Sequence, residues 1–279
     1  MHEIDVSIII VHAFSRLLVR QTLRGIRRAA PKLNYEVIII DNTPGCNLKE
    51  ILNDFPEVRY QAMEKNIGFG SAMNVGIRQT RGKYILIFNP DIIAKPGSLE
   101  ELKSFMDENE DVGMVGPKLL NPDGSLQHSC YRIPTFMIPA YRRTFLGRFN
   151  FGRRAVEDYL MIYDNHDDTM EVDSLIGAAL FTRRSALDKV GLFDEQFFMY
   201  YEDNDLCRRF WENGYKVIYH PKAQMVHYHR RISADGKFLQ QLTSRFTWIQ
   251  IASALKFFKK YRKSSNPRQK LSLNKEVDV

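Results

Sequence analysis

At 279 residues, 44% hydrophobic and 26% charged, the chain has the composition of a globular protein able to bury a substantial core. No run of about 18 apolar residues occurs, so no spanning helix is expected. The opening Met-His-Glu-Ile-Asp lacks the basic-then-apolar order of a secretory signal. Cys46, Cys130 and Cys207 are widely spaced with no CxxC pair, which argues against disulfides or structural zinc and favours a cytoplasmic setting. The net charge of +7 is concentrated: Pro139 to Arg154 holds five arginines and no acid, among aromatics, and Ala254 to Lys270 holds seven Lys/Arg and no acid. Such patches predict an anionic partner surface, against the simpler reading of a solvated basic face.

In chain order, Val6 to Val11 reads as a strand covered on both faces. Ser15 is placed to cap a helix carrying Leu18, Leu23 and Ile26 and ending before Pro31. Val37 to Ile40 is a second buried strand, closed by Asp41; a helix at Ile51 to Phe55 and a strand near Val58 to Ala62 follow. "NIGFGSAMNVGIRQTRG" reads as loop and helix, and Ile85 to Phe88 as a strand stopped by Asn89-Pro90-Asp91, with Ile92 and Ile93 re-entering the core. Ser98 and Glu101 have the spacing of a capping box. This alternation predicts an α/β layered domain with a mainly parallel sheet flanked by helices. Residues 117 to 170 read as long loops with short helices. A strand, a helix capped by Ser185, a helix ending at Gly214 and a strand through Val217 and Ile218 follow. The segment "FTWIQIASALKFFKKYRK" predicts an amphipathic helix, with Trp248, Ile251, Ala252, Leu255 and Phe258 near one face.

Ligands of such sheets bind beyond the carboxyl ends of the strands, and Asp41 and Asp91 each close one, on a common rim. Glu202, Asp203 and Asp205 suit the positive end of a helix dipole, but they also follow a bulky apolar run that would raise a carboxylate toward general-base duty. His227 and His229 share one side of an extended segment, as a metal ligand or as structural residues. Arg230, Arg231 and Ser233 beside them offer donors to an anion. No Walker loop, GxGxxG, GxSxG or nucleic-acid-reading motif is present.

In this order, "VSIIIVHAF", "EVIIIDNTP", "NIGFGSAMNVGIR", "YILIFNPDI", "GAALFTRRSALDKVGLFDEQFF", "YEDNDLCRRFWENGYKVIYHP" and "VHYHRRIS" resemble the inverting family 2 glycosyltransferases of the GT-A fold. The branch resembled contains bacterial rhamnosyltransferases of surface polysaccharides, including O-antigen and cell wall. The resemblance spans roughly residues 4 to 235. It implies a nucleotide-sugar-binding, Rossmann-like sheet over 1–235, with a nucleotide-binding half (1–115) and an acceptor-binding, catalytic half (116–235). A C-terminal helical extension (236–263) and a disordered tail (264–279) complete the expected organisation.

On this resemblance Asp203 is the catalytic base, with Glu202 the alternative. Asp41 contacts the nucleotide base, and Asn66, Gly68 and Asn74 shape its pocket. Val11, His12, Asn89, Arg230, Arg231 and Ser233 complete the nucleotide-sugar contacts, and Asp173, Gly177 and Tyr201 face the acceptor. Asp91, the last acid of the family's DxD, and His227 hold Mg²⁺ or Mn²⁺. Two positions depart from the family pattern: Asn89 replaces the first DxD acid, and "VHAF" stands where an aromatic and an asparagine are usual. The implied donor is a dTDP- or UDP-sugar, best dTDP-rhamnose, and the acceptor a saccharide or polyprenyl-diphosphate-linked saccharide. A peripheral contact of the basic helix with the inner face of the cytoplasmic membrane is expected, against an ordinary packing helix; no nucleic-acid partner is. A nucleotidyltransferase acting on sugar phosphates and a non-catalytic membrane- or nucleic-acid-binding protein are the alternatives.

Overall fold

The computed structural model describes residues 3–13, 16–29, 32–46, 48–228 and 244–269. Ser15, the expected cap, lies outside them, as do Arg230, Arg231 and Ser233. The first half runs β1 (Val6–His12), α1 (Arg16–Ala29), β2 (Tyr35–Asp41), α2 (Lys49–Leu52), β3 (Arg59–Ala62), α3 (Phe69–Ile77) and β4 (Tyr84–Phe88). Next come β5 (Ile92–Ala94), α4 (Ser98–Glu108), β6 (Val112–Leu120), β7 (Leu126–Gln127) and β8 (Cys130–Tyr131). The stretch read as loops holds α5 (Ile138–Arg143), a 3₁₀ turn (Phe145–Arg148) and α6 (Asn150–Tyr159). Then follow β9 (Met170–Glu171), β10 (Ser174–Leu175), β11 (Ala179–Arg183), α7 (Arg184–Val190), α8 (Glu202–Glu212), β12 (Lys216–His227) and α9 (Arg245–Tyr261).

The main sheet has the order β3-β2-β1-β4-β11-β6-β12-β5. β1 pairs in parallel with β2 and β4, and β12 with β6, whereas β11 is antiparallel to β4 and β6. The sheet is mixed because β11 enters from the opposite end. Period-two alternation sends Val6, Ile8 and Ile10 to one face, beneath Val19, Leu23 and Ile26 of α1 and Leu102 of α4. Ile9 and Val11 point to the other, beneath Ala72, Met73 and Ile77 of α3 and Leu206 and Phe210 of α8. Every residue of β1 and of β4 is buried, so these two strands tolerate no register slip.

Ile92 re-enters the core as expected, and with Ile93 it forms a strand, because β12 supplies an antiparallel partner in which His227 faces Ile92. Two local expectations give way to tertiary contacts. The capping box at Ser98 does not form: Ser98 donates to the Gln224 carbonyl at 2.7 Å, and Glu101 reaches His220 at 2.9 Å. Ser185 lies inside α7, whose cap position is Arg183.

The C-terminal helix docks on the sheet domain, as a packing helix does. Its inward face is Thr247, Ser253, Ala254 and Phe257, set on Phe197 and Tyr201. Asp205 of α8 is fully buried and accepts from Arg209 Nε (2.8 Å), Lys260 Nζ (2.5 Å) and the Tyr261 hydroxyl (2.7 Å). The start of the expected disordered tail is also tied down, since Asn266 and Arg268 each donate to Asp173 at 3.0 Å. The face read as apolar from sequence is split: Trp248, Ile251, Ala252 and Leu255 are exposed, whereas Phe258 packs inward against Tyr201. Among the described residues no helix is long and apolar enough to cross a membrane. Asp205→Ala would strand Arg209 and Lys260 without their shared carboxylate; about 3 kcal/mol of unfolding free energy should be lost in urea titration.

Candidate active site

The parallel order reverses beside β1: β1 leads through α1 to β2 on one side, and β4 lies on the other. A crevice beyond the carboxyl ends of β1 and β4 follows from that reversal. His12 closes β1, and Asn89-Pro90-Asp91 leaves β4.

At the β1 side, Asp41 is fully buried and accepts from His12 Nδ1 at 2.9 Å, the Thr43 amide at 3.1 Å and the Tyr60 hydroxyl at 2.9 Å. Its carboxylate is therefore already engaged by the protein. Because carboxylate oxygens only accept, His12 Nδ1 carries a hydrogen, and Nε2 is the ring atom left for a further contact. That Nε2 is buried without a hydrogen-bond partner among the described residues. Cys46 joins His12 and Asp41 in a group whose ligand atoms lie within 4.8 Å, with Asp41 fully buried. The Val11 side chain sits in the core, so only its backbone can reach a ligand.

The glycine loop closes over the same end. Asn42, which sequence reasoning passed over, donates to Asn66 Oδ1 and to the Gly68 carbonyl, each at 3.1 Å. Gly68 has φ +90°, and a Cβ there would meet the Phe198 carbonyl oxygen at 2.4 Å, so only glycine fits. Asn74 is buried and engaged with Phe193 and Glu195, tying α3 to the segment before α8. It holds the pocket wall together rather than facing a ligand.

Asp91 and His227 meet across the β5–β12 pairing, with Asp91 Oδ1 3.2 Å from His227 Nε2. His227 Nδ1 bonds Gln127 Oε1 at 2.7 Å, and in the neutral ring with its hydrogen on Nδ1 the atom turned to Asp91 is Nε2. Two acceptors at that spacing suit a shared cation, since adjacent ligands of an octahedral Mg²⁺ lie roughly 3 Å apart. Mg²⁺ commonly takes one or two protein ligands and completes its shell with substrate phosphate and water, so a lone acid with one histidine fits it. Gln127 is 100 residues from His227, and nothing local marks it.

Asp203 is half-buried in the first turn of α8. Its Oδ2 accepts from the Gly177 amide at 2.9 Å, and its Oδ1 from the Asn204 amide and side chain at 2.8 and 2.9 Å. Burial raises its carboxyl above the ordinary value, against these donors. Glu202 is 6% exposed, its Oε2 lacks a hydrogen bond among the described residues, and burial, then Asp203's charge, hold it well above the carboxylate range. Burial thus favours the neutral form of both, and Glu202 more than Asp203, whose carboxylate is the one that accepts hydrogen bonds.

Tyr200 and Tyr201, with φ of 71° and 69°, take the left-handed conformation just before these acids. For bulky side chains that is strained, and α9 holds it: Tyr201 packs on Phe257 at 5.3 Å, and Ser253 donates to the Met199 carbonyl at 2.9 Å. Tyr201 therefore belongs to the packing with α9, and Gly177 acts through its amide. Asp173, expected at the acceptor, has its oxygens filled by Ile133, Asn266 and Arg268 and is an anchor. Beside Asp203 instead stand Tyr131 and Tyr159, stacked at 5.2 Å, with the Arg142 guanidinium 5.7 Å above the Tyr159 ring. Burial raises both phenols; Asp203 adds to the shift and Arg142 opposes it, so both charges reach the pair.

The model of glycosyl transferase family 2 matches residues 7–191, from β1 to the end of α7. The chain belongs to this family. It is 30% identical over 199 residues to the N-acetylglucosaminyl-diphospho-decaprenol L-rhamnosyltransferase of Mycobacterium tuberculosis, covering 67% of this chain and 63% of that one. It is 23% identical to the dTDP-rhamnosyl transferase RfbF of Shigella flexneri, covering 70% and 60% of the two chains. With the rhamnosyltransferase WbbL of Escherichia coli K12 it is 27% identical, covering 77% and 82%. The chain thus spans somewhat under two thirds of the length of the first two relatives.

Solved structures share the GT-A fold: GalNAc-T7 with UDP, GalNAc and Mn²⁺ superposes with a TM-score of 0.62 at 14% identity, covering 84% of this chain and 45% of that one. S. aureus TarS 1-349 with UDP-GlcNAc gives 0.59 at 16% identity, covering 85% and 61%. The expected family and fold are both present.

Glu202 gives a family-independent test of the acid pair. Its raised folded-state value means that protonated Glu202 adds stability below the unfolded carboxylate range, lost as pH rises through the folded value. Glu202→Gln should therefore melt higher than the parent at pH 8 and close to it near pH 4, read by thermal unfolding.

Proposed function

We propose that this family 2 member transfers L-rhamnose from dTDP-rhamnose, with inversion, to a polyprenyl-diphosphate-linked saccharide in bacterial polysaccharide synthesis. The observation that carries the reaction class is the suspension of Asp203 from the Gly177 amide, one residue from Ala178, whose carbonyl accepts the Asn89 amide at 2.9 Å. A general base and the Asp91–His227 pair are thereby joined through β11 and β4 at one edge of the sheet. The rhamnose donor and the lipid-linked acceptor rest on the names of the relatives.

In this reading the nucleotide lies over the ends of β1 and β4. His12 Nε2, oriented by Asp41, accepts the imide N3–H that thymine and uracil present and cytosine does not. This moves the base contact from Asp41 to the residue it orients. Asp91 and His227 would hold Mg²⁺ or Mn²⁺, which would supply neutralising charge to the diphosphate leaving group. Asp203 takes the proton of the acceptor hydroxyl as its oxygen bonds to the anomeric carbon and the bond to the diphosphate breaks. Gly177 and Asn204 aim that carboxylate, and Tyr131 and Tyr159 flank the acceptor. The nucleotidyltransferase alternative gives way to the family match.

A nucleotide-sugar panel assayed for binding and slow hydrolysis tests this directly. Turnover of dTDP-rhamnose, with dTDP and UDP bound in preference to CDP, is expected; hydrolysis of no donor would return the chain to a binding role. Asp203→Asn should lower kcat about 10²–10⁴-fold at unchanged donor affinity, while Glu202→Gln keeps most turnover. The parent's acid limb should lie above the ordinary Asp range, because the base works only when ionised.

Gln127→Ala removes the partner of His227 Nδ1 without touching a reacting group. Mn²⁺ affinity measured with dTDP present should fall about 10–100-fold; an unchanged affinity would remove His227 from the cation site.

A further inference from the structure

Two apolar ridges stand out on the surface, and neither is used by the chemistry above. One is the turn between α5 and α6. There Phe145, Phe149 and Phe151 are 67%, 51% and 59% exposed yet stack on one another, with centroids 6.1 Å apart for Phe145–Phe149 and 5.8 Å for Phe149–Phe151. The other is the outward stripe of α9, Trp248, Ile251 and Leu255, at helical spacing. α5 joins them: Arg143 donates to Gln250 of α9, and Phe136, just before α5, packs edge-on against Phe258 at 5.4 Å. Exposed aromatic clusters of this extent mark an interaction surface.

The surrounding charge is mainly positive, although Glu157 pairs with Arg153 at 3.8 Å and Asp194 with Lys260 at 2.6 Å. Pro139 to Arg154 carries five arginines and no acid, and Arg245 to Gln269 carries seven Lys/Arg and no acid. A second copy would set one cationic face against another, which self-repulsion opposes. The aliphatic Ile251 and Leu255 beside the rings suit hydrocarbon better than stacked bases. Cations around an apolar ridge are the pattern of a helix lying in a lipid interface.

We propose that the α5–α6 turn and the outward stripe of α9 together seat the protein on an anionic phospholipid surface. Phe145, Phe149 and Phe151 enter the acyl boundary, and the arginines remain at the phosphates. Arg142 belongs to this basic stretch and also stands 5.7 Å over Tyr159, which stacks on Tyr131; Tyr131 pairs with Ser174, and Ser174 bonds the Asn204 side chain that donates to Asp203. The docked face therefore borders the catalytic base, where a lipid-diphosphate acceptor would arrive. The inference deepens the proposed function, since it rests on that reading for the acceptor, but the surface itself is read by binding. It also changes the part given to α9, which contributes one edge of the platform while its inner face clamps the catalytic segment.

The test uses the full chain and vesicles of phosphatidylcholine, with and without phosphatidylglycerol. Flotation with anionic vesicles only, weakened by salt, is expected. A variant carrying Phe145→Ser, Phe149→Ser and Phe151→Ser should bind at least about tenfold more weakly, with its unfolding midpoint kept. The two tryptophans give an internal probe, because Trp248 is 60% exposed and Trp211 3%. Iodide should quench Trp248 in free protein and lose access to it on vesicles. Absence of vesicle binding, full binding by the triple variant, or protection of Trp248 by self-association without lipid would each overturn the proposal. Transfer to a water-soluble acceptor reports separately on the enzyme: vesicle binding with no transfer from any donor would sink the functional reading and leave the surface standing.

Discussion

The proposed active edge depends on β11 running antiparallel between β4 and β6, because this register brings Gly177 beside the turn that leaves β4. The Asn89 amide donates to the Ala178 carbonyl, and the neighbouring Gly177 amide carries Asp203 Oδ2. A shift of β11 by one residue would turn its buried side chains to the wrong face and release Asp203 from the Gly177 amide. Gly177 also keeps space there, since a Cβ at that position would stand 3.3 Å from the Asp203 Cβ. The geometry proposed for catalysis and the core packing therefore share one constraint, and neither can drift without the other.

A second constraint is supplied from the end of the described chain. Glu202 and Asp203 begin α8 after two left-handed tyrosines, a start that the local sequence disfavours. α9 opposes that strain through the rings of Phe257 and Phe258, the Ser253 hydroxyl and the Asp205 carboxylate that Lys260 and Tyr261 share. Asp205, two residues from Asp203, is thus an anchor, although the three acids look alike in the sequence. The difference lies in what surrounds each: Asp205 meets cations, Glu202 is buried with no hydrogen bond to its Oε2 among the described residues, and Asp203 meets amides.

Much of this was legible in the residues. The β-branched runs at Val6 to Val11 and Val37 to Ile40 dictate buried strands, and the polar closures at Asp41 and Asp91 mark the rim. Asp91 and His227, paired from the order of motifs, stand side by side in the fold. The capping box at Ser98 failed because Gln224 offered both groups of its backbone to the Ser98 hydroxyl. Asp173 and Asn74 look like site residues in sequence, but a buried polar group must find partners, and theirs are protein atoms. Asn42, Gln127 and Arg142 were missed because a second-layer contact leaves no periodicity or spacing to detect.

By itself the sequence determined which segments must be strands or helices, which strand ends carry acids, and where cationic charge is unbroken. Those follow from side-chain period and composition, which are local. Only the tertiary structure decided that β11 is antiparallel, that Asp41 is engaged by His12 and Tyr60, and that the helix face read as apolar from Trp248 to Leu255 points outward. Each of those depends on a partner from a distant part of the chain, and a one-dimensional pattern shows that a group needs a partner without showing which one it meets.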